Sequence, residues 1–435
     1  MLIATGRADV MLWNADALDI LPAIPDASID AVVTDPPYEL GFMGRAWDAS
    51  GIAYNVDLWR HCLRVLKPGG HLLAFGGTRT SHRMTCAIED AGFEIRDEIA
   101  WLYGSGFPKS LDVSKAIDKA AGAEREVIGD KLDRPGYHLV PGSRAGEALG
   151  DGVNGHTYEQ RLAAAQITAP ATDDAKRWQG WGTALKPAHE PIVVARKPLA
   201  GTVAANVLAH GIGALNIDGC RIGSAESLIR PAIQRTDNDV LGKGLGVGVQ
   251  VEPAGRWPTN VVMSHAALID DDGSPIGDAC ADGCVPGCPV AELDAQSGIT
   301  IGSKPSENID YGAHRQNKKN EVLGSGLHSA TPNRAPIGDS GGASRFFPVF
   351  RYQAKAPTRE RPRTDGVAHP TVKPLELMRW LVRLVTPPGG QVLEPFAGSG
   401  TTIEACALEG MRCLAIERDL QYIPLIQDRI TRTAS

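Results

Sequence analysis

The sequence predicts an α/β fold built on a doubly wound, largely parallel sheet and interrupted by a large irregular insertion. Three observations carry this expectation. Short apolar, β-branched runs alternate with helical stretches at both ends of the chain. A glycine-rich turn near the C-terminus joins one such run to a helical one. From about Ser110 to Gly366 neither period persists, and a structureless loop of that length inside a compact domain is improbable, so this stretch should be a separate module or an insertion.

Near the start, Ala31-Val32-Val33-Thr34 reads as a buried parallel strand. Leu58, Cys62, Val65 and Leu66 then recur at helical spacing, and Lys67-Pro68-Gly69-Gly70 should end that helix. His71 to Phe75 is the next strand, and Phe93 to Trp101 alternates like a half-buried one. Toward the C-terminus, Pro374 to Val385 places Leu377, Leu381 and Leu384 on one helical face. Gln391 to Glu394 (strand), a glycine turn, Thr401 to Leu408 (helix) and Cys413 to Ile416 (strand) complete the β–turn–α–β order of a doubly wound sheet. Between these ends, apolar pieces such as Pro191 to Ala195 stand alone among Gly-rich stretches. The Pro-Gly-Gly segments at Pro68 and Pro388 look like one turn solution used twice.

Composition narrows the function classes. The chain has 435 residues, 43% apolar and 22% charged, with a formal net charge of −7. Such a chain can bury a large core, which excludes a disordered chain or a coiled coil, and its acidity excludes a uniformly basic nucleic-acid coat protein. Glycine (49) and proline (30) are in excess, as long irregular segments require. The first residues lack a basic stretch followed by an apolar run, and Gly201 to Ile217 is too short and polar to span a bilayer, so a cytoplasmic location is expected. Cys62, Cys86, Cys220, Cys406 and Cys413 sit singly in apolar surroundings and read as small core residues of a reduced protein.

Thr34-Asp35-Pro36-Pro37-Tyr38 directly follows an apolar strand, where open α/β sheets bind ligands. Two prolines remove two N–H donors and fix φ twice, which leaves the Pro36 carbonyl as a rigid acceptor beside Asp35. Two acceptors and the aromatic face of Tyr38 fit a planar ring carrying an exocyclic amino group. A lone Asp-Pro-Pro is common in capped turns, but the strand context and Tyr38 favour the functional reading. In Leu393-Glu394-Pro395-Phe396-Ala397-Gly398-Ser399-Gly400-Thr401, glycines between strand and helix allow close ligand approach to a helix N-terminus. No Lys follows Gly400, so this is not a P-loop. Glu417 ends the next strand, where an acid can accept from both ribose hydroxyls of an adenosine-containing cofactor. A nicotinamide-dinucleotide enzyme would share the glycine turn but leave Asp35-Pro36-Pro37-Tyr38 unexplained.

Asp35-Pro36-Pro37-Tyr38 together with Phe396-Ala397-Gly398-Ser399-Gly400 resembles the S-adenosylmethionine-dependent amino-group DNA methyltransferases of bacteria and phages. With the tetrapeptide first and the glycine turn last, the order resembles the β-class of N6-adenine/N4-cytosine enzymes. His369-Pro370-Thr371-Val372-Lys373-Pro374 resembles the family segment covering the methionine part of the cofactor. Asn14-Ala15-Asp16-Ala17-Leu18 resembles the family's Gly-Asp-Ala-Leu element, with Asn14-Ala15 departing from it. The likeness covers about Leu12 to Lys109 and His369 to Ile430 and is nearly silent between.

The resemblance implies a Rossmann-like methyltransferase sheet, circularly permuted: residues 1–110 the catalytic half, 111–366 the target-recognition insertion, 367–435 the cofactor half. It implies catalytic roles for Asp35, Pro36, Pro37 and Tyr38. It implies cofactor contacts for Asp16, Pro370, Thr371, Lys373, Glu394, Phe396, Ala397, Gly398, Ser399, Gly400, Thr401 and Glu417. Double-stranded DNA is the implied partner, with no membrane, and relatives are often homodimers; a paired restriction endonuclease stays open. Asp at the first tetrapeptide position leans toward N6 of adenine. Transfer to N4 of cytosine, to RNA or protein, and a catalytically silent DNA-binding scaffold are the alternatives.

Two features of the middle stand apart. Cys280, Cys284 and Cys288, with His265 upstream, offer three thiols and an imidazole, a possible tetrahedral zinc set in a loop with few apolar residues to bury free thiols. Arg345, Arg351, Lys355, Arg359, Arg361 and Arg363, against Glu360 alone, form a candidate phosphate-contacting patch or simply a solvated surface.

Overall fold

The computed structural model describes residues 2–4, 9–41, 46–104, 110–130, 166–223, 255–269, 275–278, 280, 284–285, 288–301, 340–350 and 372–434. The chain divides into two compact units. Met1–Gly104, His189–Ala266 and Asp278–Ser435 form one, and Ser105–Ala188 with Ala267–Gly277 the other.

The first unit is built on a ten-stranded sheet. Its strands are β1 (Leu2–Ala4), β2 (Asp9–Asn14), β3 (Ile29–Thr34), β4 (Leu66–Phe75), β5 (Glu94–Leu102), β6 (His189–Arg196), β7 (Val261–Ser264), β8 (Val349–Phe350), β9 (Gln391–Glu394) and β10 (Arg412–Glu417). They lie in the order β1-β2-β10-β9-β3-β4-β6-β5-β7-β8. From β2 through β4 every pairing is parallel. Strand β6 runs antiparallel to both β4 and β5, while β7 and β8 follow the direction of β5. The carboxyl ends of β10, β9, β3, β4, β5 and β7 therefore share one edge of the sheet. The last two strands of the chain fit between the first ones, with Val392 opposite Ala31 and Cys413 opposite Val10. That insertion is the circularly permuted arrangement the motif order implies.

Every residue of β3 is buried, and its alternation serves both faces. Ala31 and Val33 pack with helix α5 (Leu375–Val385), through Leu377, Leu381 and Leu384. Val32 packs on the other face with α1 (Val56–Val65) and α2 (Ser81–Asp90), through Leu58, Trp59, Met84 and Ile88. Asp30 is buried among them and accepts from Lys67 Nζ (2.6 Å) and the Gln391 N–H (2.7 Å), tying β3 to both neighbours.

Three sequence expectations are corrected. Lys67 to Gly70 does not form a turn but begins β4. Asn206 Nδ2 donates to the Pro68 carbonyl at 2.9 Å, and Gly69, at φ +79°, leaves room for that amide, which would lie 2.5 Å from any Cβ. Cys86 is exposed rather than buried, because α2 turns Met84, Ala87 and Ile88 inward and Cys86 away. Strands β6, β7 and β8 come from the stretch expected to be irregular, and Ile192 to Ala195 is buried at the sheet's centre.

In the second unit, helices Val113–Ala120 and Asp173–Arg177 accompany an antiparallel pair, Val127–Asp130 with Gln166–Thr168. Asp118 is its polar hub, accepting from Arg125 Nη1 (2.5 Å), the Ala171 and Thr172 N–H groups (3.0 Å each) and Thr172 Oγ1 (2.7 Å). Burial works against its charge, but these bonds prevail and hold the carboxyl at about 2. Among the described residues, no helix is long and apolar enough to cross a membrane.

Candidate active site

Strands β10, β9 and β3 are neighbours, so Glu417, the glycine turn after Glu394 and Asp35-Pro36-Pro37-Tyr38 emerge side by side at one sheet edge. Glu394 fastens the last two together. Thr34 Oγ1 donates to its Oε1 (2.5 Å), Thr402 Oγ1 to its Oε2 (2.6 Å), and the Phe396 N–H to Oε1 (3.0 Å). Burial drives the Glu394 carboxyl up to about 8, against the pull of those hydrogen bonds. At 1% exposure, Glu394 is a strut beneath the site rather than a surface a cofactor reaches.

The glycine turn is anchored to β10. The Ala397 N–H donates to the Ile416 carbonyl (2.9 Å) and the Gly398 N–H to Glu417 Oε2 (2.7 Å), while the Asp419 N–H donates to Glu417 Oε1 (2.7 Å). Gly400, at φ +83°, caps helix α6 (Thr401–Leu408), and a Cβ there would press on Ile426 of helix α7 (Ile423–Ala434) at 3.2 Å. Behind the turn, Arg429 Nε donates to the Ser399 carbonyl and pairs with Glu404. Asp16 arrives at the end of β2, alongside β10. Its Oδ1 caps the Leu18 N–H (3.0 Å), and Arg418 approaches its Oδ2 at 3.6 Å. Burial lifts the Glu417 carboxyl to about 7, with the two N–H donors pulling the other way.

Around Asp35 the side chains form a charged cluster. Lys373 Nζ donates to Asp35 Oδ2 (2.7 Å), lies 3.5 Å from Glu190 Oε2, and sits over the rings of Tyr38 (5.0 Å) and Phe75 (4.9 Å). Tyr38 OH donates to Glu190 Oε2 at 2.7 Å. Burial would lower the pKa of Lys373, but the Asp35 and Glu190 carboxylates outweigh it and the net direction is upward. For Tyr38, burial and then the same two carboxylates raise the phenol pKa. Asp35 Oδ1 is buried and has no hydrogen-bond partner among the described residues. An acceptor-only oxygen in that state needs a donor from elsewhere.

The structure thus brings Asp35, Pro36, Pro37 and Tyr38 to one strand end and Asp16, Phe396 to Thr401 and Glu417 to the adjoining ones. Lys373 joins the first group rather than the glycine turn. Pro370 and Thr371 lie outside the described residues, as do Arg351, Lys355, Arg359, Arg361 and Arg363. Arg345 commits its guanidinium within the chain, to the Gly341 and Gly342 carbonyls and Thr300 Oγ1, with Phe346 beneath it. His265, Cys280, Cys284 and Cys288 converge, their ligand atoms all within 4.8 Å of one another. Sequence reasoning missed Glu190. The signal was the apolar run after it: paired antiparallel to His71–Phe75, that run starts where β4 ends, which sets Glu190 on the active edge.

Fold and site together define an amino-group methylase, and the comparisons agree. The chain matches the DNA methylase family of N6/N4 methyltransferases over residues 29–428, and it belongs to that family. It is 29% identical over 116 residues to the type II methyltransferase M.HpaI of Haemophilus parainfluenzae, covering 25% of this chain and 37% of that protein. Over 106 residues it is 29% identical to M.BglII of Bacillus subtilis, covering 22% and 29%. The chain thus matches about a third of the length of these relatives. Among solved structures it is similar to a putative DNA modification methylase of Thermus thermophilus complexed with S-adenosyl-L-methionine. That match has a TM-score of 0.36 and 17% identity, covering 98% of this chain and 94% of that one. S-adenosylmethionine is the cofactor of the family.

Proposed function

We propose that this chain methylates the exocyclic amino group of a base in double-stranded DNA, N6 of adenine, with residues between 111 and 366 supplying target recognition. The observation that carries the reading is Asp35 Oδ1, a buried carboxylate oxygen without a partner among the described residues, beside the Pro36 carbonyl at the strand edge. Asp at this position, where N4-cytosine relatives lean toward Ser, supports adenine.

The residues present fit the cofactor. Each Glu417 oxygen takes one backbone N–H among the described residues, which leaves lone pairs for two ribose hydroxyls. The left-handed Gly398 and Gly400 keep side chains away from the approach to α6. When bound, S-adenosylmethionine supplies a methyl group already activated on a sulfonium sulfur. The protein's task is then the acceptor, whose amino lone pair is delocalised into the ring. Asp35 Oδ1 and the Pro36 carbonyl accept the two amino protons and localise that lone pair for in-line attack. Lys373 holds Asp35 through Oδ2 and keeps Oδ1 in place. As nitrogen gains the methyl group, Asp35 takes the proton it sheds. Rotating the base out of the duplex costs a few kcal/mol, and stacking on Tyr38 offsets roughly 1–3 kcal/mol of that.

The test is mass spectrometry of nucleosides from plasmid DNA grown with this chain in a methylation-free host. N6-methyladenine is expected, and it should vanish with Asp35→Ala, whose S-adenosylmethionine affinity stays within about threefold of wild type. Loss of roughly 10²–10⁴ in turnover is the scale for removing a group that handles the proton. N4-methylcytosine would overturn the base assignment, and a variant turning over within about tenfold of wild type would overturn the role of Asp35.

A further inference from the structure

We propose that His265, Cys280, Cys284 and Cys288 form a structural zinc site with four protein ligands and no open position. His265 directly follows β7, and Cys288 is the N-cap of helix α4 (Pro289–Ser297), so the four residues join a strand end to a helix start within the first unit.

The distances distinguish a shared centre from ordinary thiol contacts. Cys284 Sγ and Cys288 Sγ each lie 3.5 Å from His265 Nδ1. One ring-nitrogen lone pair can accept from one thiol, not from two approaching equally. A tetrahedron with Zn–S near 2.3 Å and Zn–N near 2.05 Å has N···S edges of about 3.6 Å and S···S edges of about 3.8 Å. The observed spacing fits those edges, whereas none of the three cysteines is in a disulfide. Cys288 Sγ also receives the backbone N–H groups of Ala266, Val290 and Ala291. Three donors on one sulfur suit a metal-bound thiolate, which keeps its charge and gains orientation from them.

Packing supplies the reason for a metal. The local core is small: Met263, Val290 and two of the cysteines, with Leu102, Phe347 and Val349 at its margin. Two residues of it, Cys280 and Cys288, are 8% and 0% exposed, yet neither has the bulk to fill a core. So few apolar groups stabilise a corner weakly, and a zinc ion with four protein ligands contributes folding free energy there outright. The corner lies at the carboxyl end of β7, on the same sheet edge as Asp35.

Full-length protein purified without added metal should carry about one zinc per chain by elemental mass spectrometry, and Cys284→Ser should carry below about 0.2 equivalents. Cys284 is exposed, so this variant should stay folded. A second measurement on wild-type protein avoids variants altogether. Alkylation of Cys280, Cys284 and Cys288 should be slow until a chelator is added, and cobalt should replace zinc with a tetrahedral, thiolate-rich visible spectrum. Wild-type protein without zinc, stoichiometric iron in its place, a disulfide among the three cysteines, or zinc retained by Cys284→Ser would each overturn the proposal.

Discussion

Single groups in this site are set by whether their charge is shared. Asp35 keeps one oxygen on Lys373 and the other without a partner among the described residues, while Glu417 divides its two between the Gly398 and Asp419 N–H groups. Burial still lifts Glu417 to about 7, which places its titration where it can be measured. The ionised carboxylate is the better acceptor for ribose hydroxyls. Below about pH 7 the free protein holds a proton that the cofactor must displace, so affinity falls as pH falls, by up to about tenfold per pH unit. Calorimetric titration of S-adenosylmethionine should show wild-type affinity weakening several-fold between pH 8 and pH 6. Glu417→Gln should bind more weakly and lose that slope. A flat wild-type profile would refute the assignment. Asp35 and Glu417 could be picked out from sequence because each ends an apolar run. Glu190 could not, since its partner Tyr38 is 152 residues away and only strand pairing joins them.

Among the elements, the strands and helices of the two ends were readable because burial imposes a period on them. The middle was not, for a physical reason: β7 and β8 are four and two residues long, too short to show any alternation, and β6 is recognisable only by what it pairs with. Helix ends set by neighbours were also misread, as at Pro68, where Asn206 from a distant helix supplies the missing donor. The joint between β3 and β9 offers an element-scale test. Glu394 has a folded-state pKa of about 8, above its ordinary 4.5, so the native state binds a proton that the unfolded chain releases. Its stabilising contribution is therefore complete below about pH 4.5, declines as pH rises, and is gone above about pH 8. Glu394→Gln keeps the shape without the titration. Relative to wild type, the variant should gain roughly 1–4 kcal/mol between pH 5 and pH 9 in denaturant unfolding. A constant difference across that range would show that Glu394 does not carry the proton.

For the whole molecule, charge rather than fold decides how a net −7 chain meets a polyanion. Threading β9 and β10 between β2 and β3 gathers both motifs on one edge, but that edge is rich in carboxylates: Asp35, Glu190, Glu417 and Asp16. Lys373 neutralises part of this and is itself held by Asp35 and Glu190. Attraction to phosphates must then come from elsewhere in the chain, and Arg351 to Arg363 is its densest basic stretch, with Glu360 the sole acid. Arg345, bonded to its own backbone, is not expected to contribute. Each phosphate contact releases counterions and steepens the fall of duplex affinity with salt by about 0.9 in the log–log slope. Changing Arg359, Arg361 and Arg363 together to Ala should therefore flatten the slope by about 2–3 and weaken binding of specific and unrelated duplexes alike. S-adenosylmethionine affinity should not move. An unchanged slope would exclude these arginines as phosphate contacts, and loss confined to one DNA sequence would reassign them to reading bases.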